Sequence, residues 1–381
     1  MAESLSLLES CQGALERVDA VGRSPLASLA LHQTNSRYVL LDRDAAESFA
    51  TALFRAAGAT EVPSRVVARH LVESDCRGVP SHGLLRVTQY LAEVETGEID
   101  PAALPKRERA SGARVWLDGN RCFGPVAGSA AVDEAVAVTA VAGMGVVTVR
   151  HTGHAGRIGE YVEQAAHSGL VAVAYCSAPR SGHRVAPFGA TEGRLATNPI
   201  AFAFPTPSEP IVADFSTSAV PEGVVRRLNE LGLPVPEGAL QDPAGRPTTD
   251  AAVLYATPPG TILPLGGSGF GHKGFALGLL VEVLATLLAG DETADASRYG
   301  NNLALITIGV DAGFPARAGR LADYVRSAAP ADPGRPVIMP GDPERAFAKR
   351  EDGVRVDRPT WAALVAAARE RDVPLPASSD A

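Results

Sequence analysis

Cysteine is scarce and unpaired. The four residues Cys11, Cys76, Cys122 and Cys176 are scattered with no C-x-x-C spacing. That excludes a zinc knuckle or a disulfide framework as the organising device, and it suits a reducing cytoplasm. An excess of positive charge is also missing. The formal net charge is −8, which gives no electrostatic reason to expect nucleic acid or an anionic membrane as a partner. Long apolar runs are lacking too. The longest, Phe275 to Ala289, is interrupted by Glu282 and is short for a bilayer span, so a buried helix is expected there. The acidic N-terminus has no basic stretch followed by an apolar one, so it is no secretory signal. Glycine-rich phosphate loops are absent as well. Gly153, Gly156 and Gly159 are wrongly spaced for a Rossmann turn, Gly267-Ser268-Gly269-Phe270-Gly271 lacks the third glycine in its place, and no P-loop pattern occurs.

What is present is ordinary globular material: 381 residues, 46% hydrophobic and 20% charged, enough for two or three domains or one large α/β core. Residues 1–37 have weak helical periodicity and are expected to form an N-terminal extension. Residues 43–97 predict three helices. Asp44 is placed to cap the first, Gly58 ends it, and Pro63 sits in the start of the second; the third is expected from Pro80 to Thr96, with Gly97 as its stop. The middle of the chain alternates. Helices near 126–142 and 156–168 are followed by the apolar runs 146–149 and 170–175, and 200–204 and 211–214 form two more. A helix of about 16 residues is expected after Lys273, then a strand over 303–310 and two helices around a loop from Pro330 to Pro343. The alternation argues for an α/β core.

The stretch Gly78-Val79-Pro80-Ser81-His82-Gly83-Leu84-Leu85-Arg86 is the densest in chemistry. On a helix beginning at Pro80, His82 and Arg86 lie on one face, one turn apart. An imidazole that titrates near neutrality would stand beside a planar cation suited to a carboxylate. Spacing alone favours the plainer alternative, a surface histidine and a solvated arginine.

Motif order changes that balance. Asp75-Cys76-Arg77-Gly78-Val79-Pro80-Ser81-His82-Gly83 resembles the D-x-R-G-V-x-S-H-G signature of the type-2 malate/L-lactate dehydrogenase family, which also holds ureidoglycolate and sulfolactate dehydrogenases and piperideine-2-carboxylate reductases. Further matches follow in the family's order: His154-Ala155-Gly156, Pro187-Phe188-Gly189, Thr197-Asn198-Pro199, Asp214-Phe215-Ser216-Thr217-Ser218, Gly271-His272-Lys273-Gly274 and Pro340-Gly341-Asp342. The resemblance covers the chain from about residue 38 to its end.

It implies an α/β fold with a non-Rossmann nicotinamide-binding domain over 126–310, and a helical domain built from 38–125 plus 311–381. It implies NAD or NADP as cofactor, a small carboxylate as substrate and a homodimer as the assembly. By resemblance His82 donates the proton, Ser81 belongs to its relay and Arg86 clamps the substrate carboxylate, with Thr197 facing the substrate. His154 lies beside the nicotinamide and acts as acid/base in some members; Ala155 stands where an aromatic residue is usual and leaves more room. Gly156, Arg157, Asp214, Phe215 and Ser216 fall on the cofactor side. Lys273, one of only three lysines in the chain, is expected against the ribose or phosphate, and Arg345 near the adenosine end, although a solvated loop arginine is an equal reading there. No metal is called for: His151 and His154 lack a supporting third ligand. One departure matters. Val224 occupies a position where the family usually has a polar residue, so Glu222 is expected to take over the relay to His82. The rival expectation is a scaffold that has lost redox catalysis and binds a ligand or a protein.

Overall fold

A seven-stranded sheet occupies the middle of the molecule, in the order β2-β3-β4-β11-β5-β6-β7. The computed structural model describes residues 38–293, 295, 299–350 and 353–380; the expected extension, 1–37, lies outside the described residues. The strands are β2 (Lys106–Ser111), β3 (Arg114–Asp118), β4 (Met144–Thr152), β5 (Leu170–Ser177), β6 (Ile200–Phe204), β7 (Ile211–Phe215) and β11 (Asn301–Gly309). Only β3 and β4 run parallel. They are joined by the crossover helix α4 (Gly124–Ala142), as a parallel pair requires; the other neighbours are antiparallel.

Side chains alternate across the sheet with the strand period of two. Ala172, Ala174, Ala201, Ala203, Leu303 and Leu305 face the main core with α4 and α5 (Gly159–His167). Val173, Tyr175, Ile200 and Ala304 face the opposite side, against Leu277, Val281, Leu284 and Ala285. Burial on both faces explains why these strands are almost continuously apolar in sequence. The edge strand β2, Lys-Arg-Glu-Arg-Ala-Ser, is exposed throughout, and charge on an edge discourages further pairing.

The first and last described strands come together in a second sheet. β1 (Tyr38–Leu41) is its middle strand, between β12 (Val354–Asp357) and β13 (Ser378–Asp380). Around it pack α1 (Arg43–Ala56), α2 (Glu61–Cys76), α3 (Arg86–Glu95) and α10 (Arg358–Glu370), with Phe49 and Trp361 in ring contact at 6.0 Å. Asp42, not Asp44, caps α1, accepting from the Ala45 N–H at 2.9 Å. β2 and β3 precede residue 126 yet belong to the large sheet. Past residue 311 there are three helices, not two. α8 (Phe314–Arg326) leans on the β6–β7 edge through Ala322 and Ile211; α9 (Asp342–Arg350) and α10 follow.

Between β7 and β11 lie α6 (Glu222–Glu230), a small sheet of β8 (Leu240–Gln241), β9 (Pro247–Thr248) and β10 (Thr261–Ile262), and α7 (Gly267–Val281). α7 begins six residues before Lys273, which therefore sits inside the helix and not at its start. The helix continues through a widened turn over Glu282–Leu287. It is not the buried helix expected: Phe270, Leu279, Leu280, Val283 and Leu287 are exposed. By length and composition alone, Gly124–Ala142 and Gly267–Leu287 could each cross a membrane; here both lie against the central sheet.

Candidate active site

The predicted helix from Pro80 does not form. Pro80–His82 is a single tight turn, Gly83 is extended (φ −92°, ψ −152°), and α3 starts only at Arg86. Asp75 is the cause. Its carboxylate accepts the Leu84 N–H at 2.8 Å and fills the space beneath residue 83, where a Cβ would stand 2.0 Å from Oδ1. Only glycine fits there. Burial, partly offset by that backbone bond, pushes the Asp75 carboxyl up to about 8, with Asp357 adding to the rise. His82 and Arg86 are thus brought together by the turn and not by helical spacing. Arg86 Nε donates to the Ser81 carbonyl at 2.7 Å and Nη1 to Gln89 Oε1 at 2.6 Å.

His154 arrives from the other side, just past the end of β4. Its ring stacks on that of His82, with centroids 5.4 Å apart and planes 23° from parallel. Each imidazole meets a hydroxyl at Nδ1, Ser81 Oγ at 3.0 Å for His82 and Tyr90 Oη at 2.8 Å for His154. Burial, then the Arg86 charge, then His70 and Arg157 lower His82 to about 3. The same burial and Arg86, with His82 and His70, hold His154 well below the usual imidazole range. Both rings are neutral at physiological pH.

Arg86 itself is largely enclosed, and burial lowers its pKa. Among the described residues no carboxylate is ion-paired with it. Glu222, the expected relay, is engaged elsewhere: its carboxylate accepts from Arg226 at 2.8 Å and from the Tyr255 hydroxyl at 3.1 Å. A Cβ added at Gly223 on α6 would stand 3.5 Å from Ser81 Cβ. Val224 packs into the apolar cluster of Val185, Leu195 and Val225, so a polar group is replaced by core. Thr197 is half-buried; its carbonyl accepts from the Thr217 N–H at 3.0 Å.

The sequence matches the malate/L-lactate dehydrogenase family over residues 41–365. The chain belongs to that family. It is 35% identical over 334 residues to an L-lactate dehydrogenase of Cupriavidus necator, covering 84% of this chain and 95% of that one. A Delta(1)-pyrroline-2-carboxylate reductase of Ancylobacter novellus is 34% identical over 252 residues, 65% of this chain and 70% of the other. The crystal structure of malate dehydrogenase from Entamoeba histolytica superposes with a TM-score of 0.84 at 25% identity, covering 90% of this chain and 100% of that one.

A family of dehydrogenases calls for a nicotinamide dinucleotide, and the residues beside His154 fit one. Gly156 has φ +70°, and a Cβ there would stand 2.1 Å from His70 Nε2. That nitrogen accepts the Arg157 N–H at 3.0 Å, while His70 Nδ1 lies 2.7 Å from Glu160. Arg157 is 6% exposed, and its Nε and Nη2 have no hydrogen-bond acceptor among the described residues; the nearest carboxylate, Glu163, is 3.5 Å from Nη2. Asp214 Oδ2 accepts the Gly159 N–H at 2.7 Å, and Phe215 and Ser216 follow at the open end of β7. Orphaned cationic donors beside an accessible carboxylate suit a ligand carrying both anionic and hydroxyl groups. Ala155 is buried and hydrogen-bonds to Asn301.

Lys273 and Arg345 have unlike surroundings. Lys273 is exposed, its ammonium 5.5 Å above the Phe270 ring, with no described contact to the histidine pair. Arg345 is neither a solvated nor an unengaged cation: it donates to the Pro210 carbonyl at 2.8 Å and to Asp342 at 2.6 Å, tying its loop to β7. His151 pairs with Asp118 at 3.1 Å. Sequence reasoning missed Tyr90, although it lies four residues after Arg86 and so on one helical face with it.

Gly156→Ala is expected to destabilise the fold by about 2–6 kcal/mol, combining left-handed strain with the overlap on His70. Denaturant unfolding checks this; an unshifted midpoint would refute the packing argument.

Proposed function

We propose that this chain is an NAD(P)-dependent oxidoreductase that interconverts a 2-hydroxy acid with its 2-oxo acid or reduces a cyclic imine carboxylate. One observation carries the reading: an enclosed arginine without a carboxylate partner stands beside two stacked, neutral imidazoles. When bound, the nicotinamide supplies the hydride to C2. Arg86 grips the substrate carboxylate with its planar fork. Binding of that anion neutralises the largest single charge that depresses His82, so the ring recovers affinity for a proton as the substrate arrives. His82, oriented by Ser81, then hands a proton to the oxygen or nitrogen on C2. Arg157, Asp214 and Ser216 hold the cofactor, with Gly156 giving its backbone room.

The non-Rossmann cofactor domain belongs to this proposal, and the mainly antiparallel order of the large sheet supports it. So does a homodimer: the exposed Leu279, Leu280, Val283 and Leu287 fall at helical spacing on one side of α7 and its extension, an apolar stripe of the kind that marks interfaces. A cytoplasmic setting is proposed from the scarcity of cysteine and the lack of C-x-x-C spacing. The rival reading, a scaffold without redox catalysis, finds no support, since the relatives are named dehydrogenases and reductases.

Fluorescence titration with NADH and with NADPH tests the assignment, each complex then receiving pyruvate, oxaloacetate, 2-oxoglutarate, sulfopyruvate or piperideine-2-carboxylate. Saturable binding followed by oxidation of the cofactor is expected. Failure of both cofactors to bind would overturn it.

A further inference from the structure

We propose that Tyr90 is the positioning residue that fixes which nitrogen of His154 carries the hydrogen, so that this imidazole offers an N–H, not a lone pair, to the substrate. Tyr90 is 1% exposed. Its oxygen lies 2.8 Å from His154 Nδ1 and 3.3 Å from the carbonyl oxygen of the same residue. A phenol has one hydrogen to give. The contact to Nδ1 is of normal length and the one to the carbonyl is long for an O–H donor, which favours donation to Nδ1. A neutral imidazole that accepts at Nδ1 must hold its own hydrogen at Nε2.

The surroundings keep this arrangement from reversing. Burial, with Arg86 beside it, leaves His154 neutral. Burial also raises the Tyr90 phenol above its ordinary value, so it stays a donor. Its ring is fixed by contacts with Phe54 at 6.4 Å and Phe123 at 6.2 Å. Nε2 of His154 has no described protein partner and remains for a ligand.

The two stacked rings then have different duties. The Ser81 hydroxyl at Nδ1 of His82 can either give or accept a hydrogen, which suits a ring that gains and loses a proton. His154 instead polarises the C2 heteroatom with a standing N–H, stabilising the charge that builds as the hydride arrives. This division of labour rests on the oxidoreductase reading; the tautomer itself does not.

The test is a two-bond nitrogen–proton correlation spectrum of protein labelled with 15N-histidine, with the His154 signals assigned by His154→Gln. The wild type without ligands is expected to show the Nε2–H tautomer at residue 154, and Tyr90→Phe a mixture of both tautomers. Tyr90→Phe should also lower kcat/KM about tenfold, in line with loss of one buried hydrogen bond, with NAD(P)H affinity unchanged. An Nδ1–H tautomer in the wild type, or an unaltered spectrum in Tyr90→Phe, overturns the proposal. The wild-type spectrum decides even if the variant does not fold. Absence of turnover with every acceptor would sink the oxidoreductase reading and leave the tautomer assignment to be judged separately.

Discussion

Replacing Arg86 by glutamine is expected to lower kcat/KM for the carboxylate substrate by about two to three orders of magnitude. Removing one partner of an enclosed, hydrogen-bonded charge pair costs roughly 2–5 kcal/mol, and each 1.4 kcal/mol or so is tenfold. The loss should fall mainly on KM, since the carboxylate is held in ground and transition states alike. Arg86 also donates to the Ser81 carbonyl, so part of the effect could come from the turn. Arg86→Lys separates the two causes. A lysine keeps the charge but cannot span both partners, and it should recover only part of the loss. A kcat/KM within threefold of wild type in Arg86→Gln would remove the carboxylate clamp from the mechanism.

His82→Gln is expected to reduce kcat by about 10²–10⁴-fold, the usual worth of a positioned general acid, while NADH or NADPH still binds. The same variant has a signature in stability. Folding lowers His82 from its ordinary value of 6.5 to about 3, through burial and then Arg86. Between those values the unfolded chain binds a proton that the folded chain refuses. Stability contributed by the neutral ring is therefore complete above the unfolded value and falls away as the pH drops below it. Thermal unfolding from about pH 7 to about pH 5 should show a shallower acid loss in His82→Gln than in the wild type. Equal slopes would mean that the folded ring titrates as it does in the unfolded chain.

Much of the fold was legible in the sequence because it is local. The β5, β6 and β7 runs are apolar over nearly their observed lengths, and Gly143 and Gly169 mark helix ends where the chain turns. What escaped was set by partners distant in sequence. Helical periodicity continues smoothly through residues 80–96, yet Asp75, eight residues before Gly83, takes the Leu84 N–H and breaks the helix. The cap falls on Asp42, directly after β1, where Asp44 was expected, two residues further on. Lysine in a glycine-rich stretch suggested a helix start, but Gly266 at φ +100° already permits one further back. The motifs name Ser81, His82, Arg86 and His154, and the fold stacks the two imidazoles with Arg86 beside them. Sequence distance between Glu222 and Val224 says nothing of Arg226 and Tyr255, which engage the Glu222 carboxylate. Neither reading of Arg345, ligand contact or solvated cation, includes its backbone acceptor, the Pro210 carbonyl, which leaves no trace in residue type.

His70 has a consequence for motion. It stands on α2, yet its ring receives the amide of Arg157 and lies directly beneath Gly156, so one buried side chain bolts the helical layer to the loop that ends β4. Prising the layers apart there would leave that amide and the ring nitrogen unpaired, at roughly 1–3 kcal/mol for each stranded group. Separation of α2 from the loop that ends β4 is thereby opposed at the active site itself.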